Sequence, residues 1–449
     1  MGADQAFAQQ DAPLNPSLSI GLQQAVSTGI ATNPEYGVVA ASRRATDEEL
    51  KQGKALFLPS IDMRADTGWE HTDSPSTRAG SGDDTEDMWR SQASLTLTQM
   101  LFDGWQSKYE VARQKARVSS SASRVRETSE LVGLSIVESY LEVLRQRQLL
   151  EIARQNVDDH VSILAQIEDG VSAGRSTQAD LEQAKSRFSA AKTNESSTRQ
   201  ALRIAEAQYI RQVGDKPGSL QLPTTPFEAL DADVDVAVEK TLAYSPTLDI
   251  FASDIEAAYA ESLQTRASFY PQVDFEMNGR TGNDLGGVEG RDTSASALVV
   301  ANWNLYRGGA DMARSREFIH RHQQAKENRT VAARDAENDV RTTWASMVSA
   351  GERAKEFATQ ANANTEIVKA YRDQFNLDRR TLLDVLDAQN ELFVSRSNVI
   401  NSEYLEMFAV YRLLALKGNL LPTLSVAYPA ESALADGETW STSEKMKAR

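Results

Sequence analysis

The sequence predicts a mainly α-helical chain with a β-barrel part. Long coiled-coil helices join four amphipathic strands, and the whole is built as two internal repeats. Three observations carry this reading. The run from Gly104 to about Glu168 contains no proline, and beyond its first residue glycine occurs only at Gly133. Four other segments alternate apolar and polar residues with a period of two. The two halves of the chain also match each other at nearly constant offset, the signature of a repeat.

In chain order, residues 1–23 read as an N-terminal extension. Ala6-Phe7-Ala8 has the A-x-A form of a signal-peptidase site, although no apolar core precedes it. The expectation is a start just upstream of the cleavage site of an exported protein. A helix follows from Pro34 to Phe57, stopped by Pro59. Ile61, Met63, Ala65 and Trp69 then alternate with Asp62, Arg64, Asp66 and Glu70, as in a strand with one apolar face. The turn-rich loop TDSPSTRAGSGDDTED leads to a second strand carrying Trp89, Ala93, Leu95 and Leu97 on one face. This places a β-hairpin over 58–101. The long helix spans 104–168, about 65 residues or about 97 Å. Because average helices have about 11–12 residues, one this long needs coiled-coil-like packing along its length. After a break at EDGVSAGRST, a helix over 177–213 keeps a spacing of three and four through Leu181, Ala184, Phe188 and Ala191.

Residues 215–235, with Pro217, Pro223 and Pro226, form a linker. The second unit repeats the plan, with a helix, a hairpin over 270–304, a long helix over 308–372 and a helix over 381–417. In the last of these, Val385, Ala388, Leu392, Ser395, Val399 and Ser402 hold a heptad that is interrupted at Glu406. LFLPSIDM at Leu56 matches SFYPQVDF at Ser268, and QMLFDGW at Gln99 matches WNLYRGG at Trp303. The repeats are thus 24–214 and 236–418, followed by a polar tail over 419–449. In each unit the two shorter helices sum to about 62 residues, close to the length of the long one, so end to end they would run alongside it.

Composition narrows the function. The net charge of −16 argues against a nucleic-acid partner, since phosphate binding needs basic clusters. Without cysteine there is no disulfide, thiolate metal site or thiol nucleophile. No run of 18 apolar residues exists, which excludes a membrane-spanning helix but not a β-barrel. Trp69, Trp89 and Trp303 lie towards strand ends, where interfacial aromatic girdles form. Four strands cannot close a barrel, and an open sheet edge is not viable in lipid. Several copies must therefore share one barrel. Two would give eight strands and three would give twelve, and the arithmetic does not choose.

The stretch RRTLLDVLDAQ, Arg379–Gln389, carries Asp384 and Asp387 three residues apart on one helical face, an arrangement that mildly destabilises a helix. Together with the F-x-P-x-φ-D hairpins, the L-[FY]-x-G helix starts and the tip FNLDRRTLLDVLDAQ, it resembles the TolC family of outer-membrane channel-tunnels. The resemblance covers nearly the whole chain. It implies a homotrimer with a 12-stranded barrel in the outer membrane of a Gram-negative bacterium, embedded in outer-membrane lipid. A helical tunnel would cross the periplasm, with the linker and tail forming an equatorial layer. It implies the exit duct of multidrug efflux or type I protein secretion, partnered by a periplasmic adaptor (membrane fusion protein) and an inner-membrane ABC or RND-type pump. Asp384 and Asp387 match the family's pore-lining pair, whose crowding in a trimer raises some carboxyl pKa values and favours cations. Arg380 matches the gate arginine and Asp180 its partner. The family's gate tyrosine is replaced by Phe375, which can pack but cannot donate a hydrogen bond. The tip turns Ala173-Gly174-Arg175 and Leu377-Asp378-Arg379 match the adaptor-docking turns, the second with Asp378 in place of the usual glycine.

The other motifs read blandly. Asp83, Asp84, Glu86 and Asp87 lack the spacing of a calcium loop and read as a solvated outer loop. GNDLGGVEG leads into a strand, unlike a phosphate cradle. His320 and His322 point to different helical faces. No catalytic arrangement, metal site or cofactor is expected. The competing reading is a soluble periplasmic coiled-coil adaptor or scaffold in which the strands form a small domain.

Overall fold

The computed structural model describes residues 21–79, 85–377 and 379–433. Helices α1 (Leu22–Thr32) and α2 (Pro34–Ala55) precede strand β1 (Ser60–Asp73), the single turn α3 (Pro75–Arg78) and strand β2 (Thr85–Phe102). Then come α4 (Gln106–Ser172), α5 (Gln178–Val213), α6 (Val234–Tyr244) and α7 (Pro246–Gln264). Strands β3 (Gln272–Leu285) and β4 (Val288–Asn302) are followed by α8 (Ala310–Asn376), α9 (Leu382–Leu416) and α10 (Leu420–Thr423). The chain is mostly helical with one four-stranded antiparallel sheet.

The two long helices have 67 residues each, about 100 Å. α4 packs along α2 and α5, and α9 along α8, as the length arithmetic expects; α7, the other shorter helix of the second unit, lies against α4 more than against α8. The Thr32 hydroxyl donates to the carbonyl of Val213, the last residue of α5, at 3.1 Å, so the first pair of shorter helices meets end to end. Near the end of α9, a Cβ on Gly418 would come within 2.7 Å of Pro246, the first residue of α7. One feature lies outside the expectation. The chain is already helical over 22–32, and Asn33 restarts it as α2 by accepting from the Glu35 N–H, with Pro34 in the first turn.

The sheet order is β1-β2-β3-β4, so the two hairpins join through β2 and β3, and β1 and β4 are its open edges. Trp69 lies directly opposite Trp89. The outer hairpin loop is shorter than the sequence suggests. Glu86 and Asp87 belong to β2, where Asp87 meets His71 Nδ1 at 2.7 Å, while Asp83 and Asp84 lie outside the described residues. At its base the sheet is tied to the helices by Phe102, Trp105 and Tyr270. Their rings meet edge to face, Trp105 and Tyr270 at 5.1 Å. Gly104 makes the corner at φ +68, where a Cβ would stand 2.8 Å from the Ala267 carbonyl.

The main core lies midway along the helices. Val26, Ile136, Tyr140, Tyr209, Tyr411, Leu414, Leu420 and Leu421 are buried together there. Residues 420–421 were expected in a polar tail, yet both leucines are fully buried. The linker is held to the helices by its backbone carbonyls. Tyr140 Oη donates to Gln221 O at 2.6 Å, and Arg147 donates to Gly218 O at 2.9 Å. Among the described residues no helix is long and apolar enough to cross a membrane.

Candidate functional site at the helical tip

The turns α4–α5 and α8–α9 lie at the same end of the molecule. Ile163 and Ile167 of α4, Ala184 of α5, and Leu382, Val385 and Leu386 of α9 bury one another there, with Tyr371 and Phe375 of α8 packed against them. This cluster fixes which face of α9 turns outward. Asp387 is exposed and Asp384 half-buried, while the residues between them, Val385 and Leu386, are core.

Each short helix starts with the same device. Thr177 and Asp180 exchange hydrogen bonds in a capping box, as do Thr381 and Asp384. The Thr381 hydroxyl donates to Asp384 at 2.7 Å, and the Asp384 N–H donates back at 3.3 Å. The hydroxyl bond from Thr381 is the main reason that the Asp384 carboxyl sits below its ordinary range; the Thr381 N–H and Arg380 add to it. Thr177 depresses Asp180 in the same way. Within one chain the shift is therefore opposite in sign to that expected of a crowded ring, because crowding arises only between copies. Acid near a helix N-terminus is also favoured by the helix dipole. Asp387 is balanced differently: Arg187 of α5 donates to it at 3.1 Å.

Arg380 stacks on the ring of Tyr371 at 3.9 Å, donates to Gln374 at 3.2 Å and approaches Asp384 at 3.8 Å. Its matched partner Asp180 is engaged in its own cap, so one chain does not bring the two together. Phe375 is half-buried against the tip cluster. A tyrosine does stand by the arginine: it is Tyr371, one turn earlier on α8. In the first turn, Gly174 takes φ +73 and exposes Ala173 and Arg175 beside it. In the second, Leu377 and Arg379 are exposed, Arg379 N–H closes on Gln374 O at 2.9 Å, and Asp378 lies outside the described residues.

Inward from the tip turns is a polar tie that sequence reasoning missed. Asp159 of α4 accepts from Arg372 of α8 at 2.9 Å and from Gln389 of α9 at 2.5 Å. It joins the two coiled coils. The available signal was Gln389, a polar residue on the apolar side of the α9 heptad, where it is 3% exposed. Asp159 and Arg372 give no signal of their own, since neither differs in pattern from the charged residues around it.

Comparison with known proteins adds the following. The sequence profile of the family described as "Outer membrane efflux protein" matches residues 25–214 and 237–419. The outer membrane efflux protein BepC of Brucella suis is 23% identical over 405 residues, covering 90% of this chain and 86% of that protein. The alkaline protease secretion protein AprF of Pseudomonas aeruginosa is 22% identical over 410 residues, covering 88% and 84%. Among solved structures, the CmeC outer membrane channel of Campylobacter jejuni superposes with a TM-score of 0.79 at 12% identity, covering 95% of this chain and 88% of that one.

Proposed function

The chain belongs to the outer membrane efflux protein family and resides in the outer membrane, and from that premise we propose that it is the exit duct of a tripartite export system. The observation that carries this reading is the sheet. Its edges β1 and β4 are open, and in lipid each must pair with another copy. Three copies joined β4 to β1 give twelve strands, continuous with helices about 100 Å long. The two stretches that the family profile matches, 25–214 and 237–419, support the reading of two repeats. The soluble scaffold is disfavoured, because it leaves both edges without a partner. In detergent the protein is expected to run as a trimer that becomes a monomer on heating. A stable dimer, or a species soluble without detergent, would refute the duct.

At the periplasmic end, Asp384 and Asp387 of three copies form an acidic constriction. Arg380 of one copy closes on Asp180 of the next, with Phe375 and Tyr371 packing behind. The turns Ala173-Gly174-Arg175 and Leu377-Asp378-Arg379 dock a periplasmic adaptor, which links the duct to an inner-membrane ABC or RND-type pump. The names of BepC, an efflux protein, and AprF, an alkaline protease secretion protein, support both efflux and protein secretion. Opening moves α8 and α9 away from α4 and breaks the Asp159 tie.

The acidic constriction predicts block by multivalent cations. Added on the periplasmic side of a planar bilayer, a trivalent cation should abolish the current through the wild-type channel. The double variant Asp384→Ala and Asp387→Ala should conduct unblocked. Equal block in both proteins would remove these residues from the pore.

A further inference from the structure

Midway along the molecule two buried acids share one guanidinium. Glu130 of α4 is 2% exposed and Asp249 of α7 is 6% exposed. Arg126, one turn before Glu130, approaches Asp249 at 3.7 Å, lies over the ring of Tyr428 at 5.4 Å and donates to Gly418 O at 3.3 Å. Asp249 Oδ2 is buried without a hydrogen-bond partner. The groups that face Glu130 are Arg126 from its own helix, Tyr428 from the C-terminal segment and, across Arg126, Asp249, which Arg329 of α8 also influences. With both acids ionised, Arg126 is the one cation that acts on Glu130 and it is shared with Asp249, while Arg329 acts on Asp249 alone.

The hydrogen bonds need an extra proton. Glu130 Oε2 accepts the Leu420 N–H at 3.0 Å, at the start of α10. Its Oε1 lies within hydrogen-bond distance of Tyr428 Oη, which is also 2.8 Å from Gly418 O. A phenol has one proton and here faces two acceptors. A neutral acid resolves this: Glu130 donates to Tyr428, and Tyr428 donates to Gly418. We propose that Glu130 holds a proton in the folded chain and that losing it loosens the segment 418–433 from α4, making Glu130 a pH-sensitive latch.

Energetics agree with the geometry. Burial pushes the Glu130 carboxyl from its ordinary 4.5 up to about 7, against the pull of Tyr428, the Leu420 and Leu421 amides and Arg126. Burial likewise raises Asp249, to about 6. A pKa raised in the closed state stabilises that state fully below the open-state value, and the contribution is lost as pH rises through the closed-state value. Opening of the segment should therefore increase about tenfold per pH unit between 4.5 and about 7, then level off.

The test uses the full chain in detergent. Amide exchange over 418–433, corrected for intrinsic rates, should lose protection about tenfold per pH unit from pH 5 to 7. Glu130→Gln, a neutral isostere, should keep its protection across that range. Infrared spectra at pH 6.5, between the values of the two acids, should show the carbonyl band of a protonated acid that is largely lost in Glu130→Gln and retained in Asp249→Asn. A band that survives in Glu130→Gln and disappears in Asp249→Asn would place the proton on Asp249 and overturn the proposal. Protection in the wild type that is independent of pH would overturn it equally. If Glu130→Gln does not assemble, Tyr428→Phe removes only the hydroxyl and should shift the same band; an unmoved band would refute the Glu130–Tyr428 bond.

Discussion

Tyr140→Ala is expected to lower stability by about 4 kcal/mol, the largest effect of any single substitution considered. Its ring is fully buried, stands 6.4 Å from that of Tyr209 and lies in the same cluster as Tyr411, Leu420 and Leu421. Truncation leaves a ring-sized cavity where α4, α5, α9 and the C-terminal segment meet. It also removes the hydroxyl that holds Gln221 O, and with it a fastening of the linker. Tyr140→Phe keeps the ring and loses the hydroxyl's bond to Gln221 O, for about 1 kcal/mol. Unfolding midpoints of the two variants in detergent separate the terms. Losses equal within error would show that the ring contributes nothing and that the central core is misplaced.

Asp159→Ala should favour the open tip by about 2 kcal/mol, about 30-fold in the open-to-closed ratio. The charge-assisted bond to Arg372 and the bond to Gln389 are lost together, and both bridge α4 to the α8–α9 coiled coil. Arg372 is 38% exposed, so solvent recovers part of the loss and keeps the figure modest. Asp159→Asn retains an acceptor for both donors and should fall between the variant and the wild type. Resting conductance in planar bilayers reads the ratio directly. A conductance unchanged by Asp159→Ala would mean that this tie plays no part in gating.

The tip was partly legible in the sequence. The spacing of Asp384 and Asp387 placed both on one face, and the heptad through Val385, Ala388 and Leu392 turned that face away from the core. What holds the two acids there was less visible. Asp384 is the third residue of a helix capped by Thr381, and Asp180 repeats the device with Thr177. That Thr-x-x-Asp pattern stands in the sequence, but its meaning depends on where the helix begins, and boundaries are the least readable feature of a helix. Asp387 is held by Arg187, some two hundred positions earlier, which no local pattern indicates.

By itself the sequence determined the long helices, the four alternating strands and the two turns. These follow from proline placement, a period of two and glycine, all of which act over a few residues. Tertiary structure alone decided the pairing of β2 with β3, the tie through Asp159 and the burial of Glu130 beneath Leu420, Leu421 and Tyr428. Each joins residues far apart in the chain. The free energy of a buried polar group depends on the partners that the fold brings to it, and those partners leave no mark on its sequence neighbours.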